Sequence, residues 1–415
     1  MAYTETTSTS YGKRLGDSLK GIITGFVLFI VGTVVLFWNE GNFVKTKKAI
    51  NEGQSVVVPV SDVNSVNPEL NGKFIHASAL ADTRDTLTDD LFGVKELAVA
   101  LDRKVEYYQW VEKSKTETKD KIGGGQEQKT TYTYQQEWTS NPVNSSNFKD
   151  AQYQGKNTVL AHVESRQAQA ENVSFGAYKL PEFIISSIGG NSPVNMALSP
   201  EKKQEWEASI LKNMGKPQPA TTDSTQAKQE LFHVQGHVAY LGQSSSNPQI
   251  GDVRVTIVKT EPATISILAK VNGDTFEPYY AENGKNVSQV AQGTVSADNM
   301  FADAHSSNST WTWILRLVGV VVVVAGLRSM FYIVEMVFKV LPFLANIVGA
   351  GVGLVVTIVG FAWALLIIAI AWMFYRPFIA IILIALVIGA FVYLKKRAKD
   401  KQQATITPGD VQVEL

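Results

Sequence analysis

The chain has 415 residues and not one cysteine. That absence excludes disulfides, thiolate metal sites and cysteine nucleophiles. A large domain outside the cytosol that lacks disulfides suits a bacterial periplasm better than a secretory compartment, so a bacterial source is expected. An excess of charge is missing as well, since 38 Lys and Arg balance 38 Asp and Glu. Nothing argues for nucleic acid as a partner, and no acidic tract suggests a solvating tail. Histidines number only five. His233 and His237 have a spacing that suits two metal ligands, but no acidic or third histidine ligand stands near them, so no metal ligand is assigned. Phosphate loops, nucleophile elbows, dinucleotide fingerprints and zincin motifs are absent. No catalytic or cofactor-binding residue is assigned, no cofactor is expected, and the chain does not read as an enzyme. Asp82, Asp85, Asp89 and Asp90 crowd one loop without the glycine and terminal glutamate of a calcium loop, and read as solvated turn residues.

Long apolar runs are what the chain has in plenty. Residues 21–38, 340–375 and 377–394 carry no charged side chain. A run of about 18 or more apolar residues is long enough to cross the hydrocarbon core of a bilayer. As a helix it also keeps its backbone polar groups bonded to one another. The first run is followed by residues 38–43, which offer no small-residue cleavage pattern, so it reads as an anchor and not a signal peptide.

The cations set the orientation. Lys13, Arg14 and Lys20 precede the first run, and Lys395, Lys396, Arg397, Lys399 and Lys401 follow the last. Both clusters belong on the cytoplasmic side. Two cytoplasmic ends require an even number of crossings, and four are expected. The predicted fold class is an α-helical membrane protein with four spans and a large β-rich α+β extracytoplasmic domain between the first and second. The expected order is a cytoplasmic tail (1–20) disordered over residues 1–10, a first helix (21–38), the domain (39–310), a second helix (311–333), a cytoplasmic or interfacial connection (334–342), a third helix (343–375), a fourth (377–394) and a basic tail (395–415). In this layout Trp38, Trp311, Trp313 and Trp372 share the outer interface, where amphipathic rings collect.

Two features of the helices leave alternatives open. Arg316 and Arg328 lie twelve residues apart in the second run, about 18 Å along a helix. They read as anchors that snorkel to opposite interfaces, or else as charges lining a pathway. Residues 340–375 would make a straight helix of about 54 Å. Pro342 with Gly349, Gly351 and Gly353 therefore predicts a bend or a shallow start. Glu335 and Lys339, at i and i+4, share one helix face.

Inside the domain, residues 103–112 and 129–138 read as antiparallel strands joined by a long polar hairpin. Residues 181–187 and 199–211 read as helices, the second with Ser199 as its cap and Pro200 after it.

Several short motifs give the chain a family likeness. Trp38-Asn39-Glu40-Gly41 and Asn51-Glu52-Gly53 begin it, and the stretches 105–112, 132–134, 137–138, 147–148, 251–255, 308–313 and 374–377 continue it in one order. In these pieces the sequence resembles the LUMA family of four-span membrane proteins. The resemblance implies one anchor, a large lumenal or periplasmic domain, three further spans and both ends cytoplasmic. It also implies residence in the endoplasmic reticulum or inner nuclear membrane for a eukaryotic member, with self-association and organisation of protein complexes as the role. The segment Asn39-Glu40-Gly41 reads as a turn that closes the first span.

The expected function is a non-enzymatic, self-associating scaffold in the bilayer. Its partners are lipid, further copies of the chain and other membrane proteins. Small residues such as Gly349, Gly353, Ala362 and Ala369 would let helices approach. A sensor with a ligand-binding domain, and an oligomeric channel or transporter, are the alternatives.

Overall fold

A computed structural model describes residues 2–215 and 230–377. Five helices are defined in it: α1 (Tyr11–Val56), α2 (Glu182–Ile185), α3 (Pro200–Asn213), α4 (Ala297–Phe338) and α5 (Pro342–Tyr375). The chain divides into two compact units. One comprises Met1–Thr9, Ala49–Lys121 and Gln126–Ala304; the other comprises Ser10–Lys48, Ile122–Gly125 and the chain from His305 onward.

The first unit is built on two large sheets. In the eight-stranded sheet the path runs through Ala2–Thr9, Gln126–Thr139, Ala100–Asp120, Val253–Thr260, Val238–Leu241 and Phe232–Gln235. The predicted hairpin is its centre, paired from Tyr107 with Thr139 to Asp120 with Gln126, so most of the expected long polar loop is strand and only residues 121–125 connect the two. Alternation sends Leu101, Arg103, Val105, Tyr107 and Gln109 to the buried face. There Val105 and Tyr107 join Phe92, Ile210, Phe232, Leu241, Val253, Val255 and Ile257 in one core. Helix α3 begins as its sequence predicts, with the Ser199 hydroxyl accepting the Lys202 N–H at 3.2 Å.

In the seven-stranded sheet, Ala263–Asn272 pairs with both Phe74–Thr83 and Thr275–Glu277. Tyr178–Lys179 and Val173–Phe175 complete a closed ring of five strands. Closure leaves no open edge within the ring. Ile75, Phe175, Tyr178, Ile265, Ile267 and Phe276 are buried together in its core.

Two expectations for this unit change. Residues 2–9 are not a disordered tail, because Ala2–Thr9 forms a strand paired along Gln126–Thr133. Its β-branched threonines suit a strand once a neighbouring edge supplies the hydrogen bonds. The aspartate-rich loop is not uniformly solvated either. Asp89 is buried and accepts two hydrogen bonds from Arg103 Nη1, at 2.7 and 2.9 Å. Asp85 caps the backbone N–H groups of Asn172 and Glu171 at 2.7 and 2.8 Å. The Asn172 bond, chief among these, holds the Asp85 carboxyl below the usual carboxylate range.

The helical unit corrects the four-span architecture. Among the described residues, three helices are long and apolar enough to cross a membrane: Tyr11–Val56, Ala297–Phe338 and Phe343–Tyr375. One stands on the N-terminal side of the β-rich sequence and two on its C-terminal side. The fourth run expected at 377–394 lies, after Pro377, outside the described residues, as does the basic tail 395–415. The helices also overrun their apolar stretches. Helix α1 has 46 residues and passes through Asn39-Glu40-Gly41 without a turn. Hydropathy ends where polar residues begin, whereas helical hydrogen bonding continues until a breaker or a competing partner stops it. Helix α5 runs from Pro342 as one element, with no break at its glycines.

Candidate functional site

Helices α1 and α4 lie against each other with backbones in close approach. A Cβ on Gly25 would fall 2.6 Å from the Gly326 carbonyl oxygen, and one on Gly326 would fall 2.6 Å from Phe29 N. The Ser329 hydroxyl donates to the Gly21 carbonyl at 2.8 Å. Further along, Asn39 Nδ2 donates to the Thr312 carbonyl at 3.0 Å, and Asn308 Nδ2 to the Phe43 carbonyl at 3.1 Å. Residue numbers rise on one helix as they fall on the other, so the pair is antiparallel. Leu36 and Val323 meet Val356, Ala364 and Ile367 of α5 in the buried core of the unit. Trp363 of α5 donates from Nε1 to the Thr33 hydroxyl of α1 at 3.0 Å.

At one end of this packing stands Glu40, with no exposed surface. Its Oε1 accepts Arg316 Nε at 2.5 Å, and its Oε2 accepts Arg316 Nη2 at 2.9 Å. Oε2 also accepts Trp372 Nε1 at 2.8 Å. One carboxylate thus ties α1 to α4 and α5 through charge-assisted bonds, the Arg316 pair being two-pronged. Arg376, just past the end of α5, brings Nη2 to 3.7 Å from the same Oε2. The guanidinium of Arg316 lies 4.6 Å from the ring centre of Trp313, and that of Arg376 lies 4.6 Å from Phe43 and 5.4 Å from Trp372. Gly41 is closed off by the Tyr375 ring, 2.6 Å from where a Cβ would stand. Two guanidinium groups therefore share one buried carboxylate, and one positive charge is left over among the described residues.

The predicted residues are distributed as follows. Arg316 does not snorkel away from its neighbours, because Glu40 neutralises it. Arg328 is exposed. Glu335 and Lys339 form an i,i+4 ion pair of 2.8 Å. His233 pairs with Tyr240 in a hairpin whose turn carries Gly236 and His237. The element that sequence reasoning missed is Glu40, taken for part of a turn. Its signal was an acidic residue at the end of one apolar run and an arginine inside another.

A second buried carboxylate lies in the β-rich unit. Asp252 accepts hydrogen bonds from the Tyr240 hydroxyl and, at 2.8 Å, from Gln249 N. Burial pushes its carboxyl above the usual range, and burial also raises the Tyr240 hydroxyl. On the neighbouring strands Arg254 pairs with Glu106 through two bonds of 2.9 and 2.7 Å and lies 4.4 Å from the centre of the Trp138 ring. An open pocket of about 220 Å³ between Asn172 and Asp274 is smaller than most small-molecule sites.

The short motifs of the sequence thus gather in two places. Trp38 to Gly41, Asn308 to Trp313 and Phe374 to Arg376 meet around Glu40, while residues 105–112, 137–138 and 251–255 meet in the eight-stranded sheet. Comparison with known proteins agrees with this convergence. The family described as "Transmembrane protein 43" matches residues 107–377. "Transmembrane protein 43" of Rattus norvegicus is 31% identical over 392 residues, covering 94% of this chain and 93% of the relative. The Homo sapiens protein of that name is 29% identical over 401 residues, with the same two coverages. The Drosophila melanogaster "Transmembrane protein 43 homolog" is 25% identical over 383 residues, covering 91% and 94%. No solved structure matches the chain. These relatives are animal proteins, so they lend no support to the bacterial source expected from the missing cysteines. A domain with two well-filled β cores needs no disulfides in any compartment. With its apolar helices, its clamp of motif residues and relatives matched over 91–94% of the chain, it is an integral membrane protein that belongs to the transmembrane protein 43 (LUMA) family.

Proposed function

We propose that this protein is a non-enzymatic organiser of membrane protein complexes, and that it self-associates through the outward face of α5. One observation carries the reading. Gly351, Ala362 and Ala369 are all exposed on α5. Their separations of 11 and 7 residues are close to three and two helical turns, so they share a face. Small residues on one face let helices approach closely in lipid, where hydrophobicity alone drives no association. Of the four positions expected from the sequence, Gly349 is taken up by Glu335, 2.7 Å from where a Cβ would stand, and Gly353 lies near Arg328. Ala362 and Ala369 are left facing outward.

The clamp at Glu40 supports the same reading. Three helices held together by buried bonds present that face as a rigid surface, so little conformational freedom is lost when copies meet. The partners are lipid, further copies of this chain and, through the assembled copies, other membrane proteins. The family likeness supports the endoplasmic reticulum or the inner nuclear membrane as the setting. Light scattering of the full chain in mild detergent tests the idea. We expect an oligomer that Ala362→Phe with Ala369→Phe reduces to monomer at an unchanged melting temperature. A wild-type chain that is monomeric across the concentration range would refute it.

A further inference from the structure

We propose that Arg376 binds the phosphate of an anionic phospholipid headgroup at the rim of the Glu40 clamp. The inference does not depend on self-association. Arg316 already engages both oxygens of Glu40, and Trp372 adds a second bond on Oε2. Arg376 is held 3.7 Å away, beyond hydrogen-bond distance. Its Nη2 is buried and has no hydrogen-bond partner among the described residues. A cation packed among aromatic rings at the end of apolar helices is costly unless an anion meets it.

The surroundings point to which anion. The Arg376 side chain remains 20% exposed, so it can be reached from the surface although Nη2 itself is buried. Trp38, Trp311 and Trp313, in the stretches of α1 and α4 that carry Glu40 and Arg316, are each more than half exposed. Exposed tryptophans mark the level of the membrane interface, which is also the level of the lipid phosphates. The planar fork of arginine matches two phosphate oxygens at once. Phe43 and Trp372 hold that fork in place, so little side-chain freedom is lost on binding. Free phosphate has the same chemistry, but a lipid presents its phosphate already at this depth.

The full chain in mild detergent, mixed with phosphatidylcholine and phosphatidic acid and read by native mass spectrometry, tests the assignment. Phosphatidic acid should be retained in preference to phosphatidylcholine, and Arg376→Gln should weaken that retention about tenfold, as loss of a charge-assisted bond implies. Arg376→Lys, which keeps the charge and loses the fork, should fall between the two at a wild-type melting temperature. If Arg376→Gln does not fold, this variant decides. Undiminished retention in the folded variants overturns the proposal. A parallel arm adds only inorganic phosphate at millimolar concentration. A melting shift equal to that given by phosphatidic acid would assign the site to free phosphate and overturn the lipid. The same spectra report the oligomer, so lost lipid with intact assembly separates this site from the face of α5.

Discussion

Replacing Glu40 by Gln is the sharpest perturbation of the helical unit. The side chain is wholly buried and accepts three hydrogen bonds. Glutamine keeps the volume and one acceptor oxygen, so the Trp372 N–H stays bonded. Its NH2, however, faces the Arg316 fork where an oxygen stood. Two guanidinium groups then share a buried corner with no anion between them. Removing one member of a buried ion pair costs about 3–5 kcal/mol, and Glu40→Gln should lie in that range. Arg316→Gln should cost less, roughly 2 kcal/mol, because Arg376 stands 3.7 Å from Glu40 and is placed to take over the carboxylate. The double variant Glu40→Gln with Arg316→Gln keeps an acceptor for Trp372 and leaves Arg376 as the one guanidinium at that corner. It should cost no more than Glu40→Gln alone, and well under the sum of the single changes. Equilibrium unfolding of the full chain in mild detergent, followed by tryptophan fluorescence, measures all three. A Glu40→Gln cost under about 1 kcal/mol, a reversed order of the single variants, or strict additivity would show that the clamp does not hold the helices.

Three other outcomes are expected. Gly326→Val places a branched side chain 2.6 Å from the α1 backbone. It should cost about 1–3 kcal/mol by overpacking, visible as a lowered melting temperature in detergent, whereas Gly351→Val, with nothing within 4 Å, should leave it unchanged. Asp252 has a raised pKa in the fold, so the folded chain holds a proton that the unfolded chain gives up. The contribution of Asp252 to stability is therefore greatest below the ordinary carboxylate value of about 4 and is lost as pH rises through the raised one. Asp252→Asn should flatten that decline, and melting curves from pH 4 upward that stay parallel to wild type would refute it. The chain's lack of cysteine makes strand pairing directly testable. Thr7→Cys with Gln128→Cys should cross-link, since these residues are paired, while Thr7→Cys with Gln135→Cys should not.

A linear reading reaches three of the apolar helices, the strand-rich character of the rest, the pairing of 103–112 with 129–138 in one hairpin, and the start of α3. These are local properties. Hydropathy, alternation and capping depend on residues within a few turns of one another, so a linear reading reaches them. The same reading ended the first helix at Trp38 and left Arg316 to find the interface alone. The place of Asn39 and Glu40 inside a continuous helix comes from the fold, because their partners are Thr312, Arg316 and Trp372, more than 270 positions away in the chain. The fold likewise turned Asp89 from a turn residue into the buried partner of Arg103, and drew residues 2–9 into a sheet. Whether a charge is solvated or buried depends on the neighbour it meets, and that neighbour is supplied by the fold.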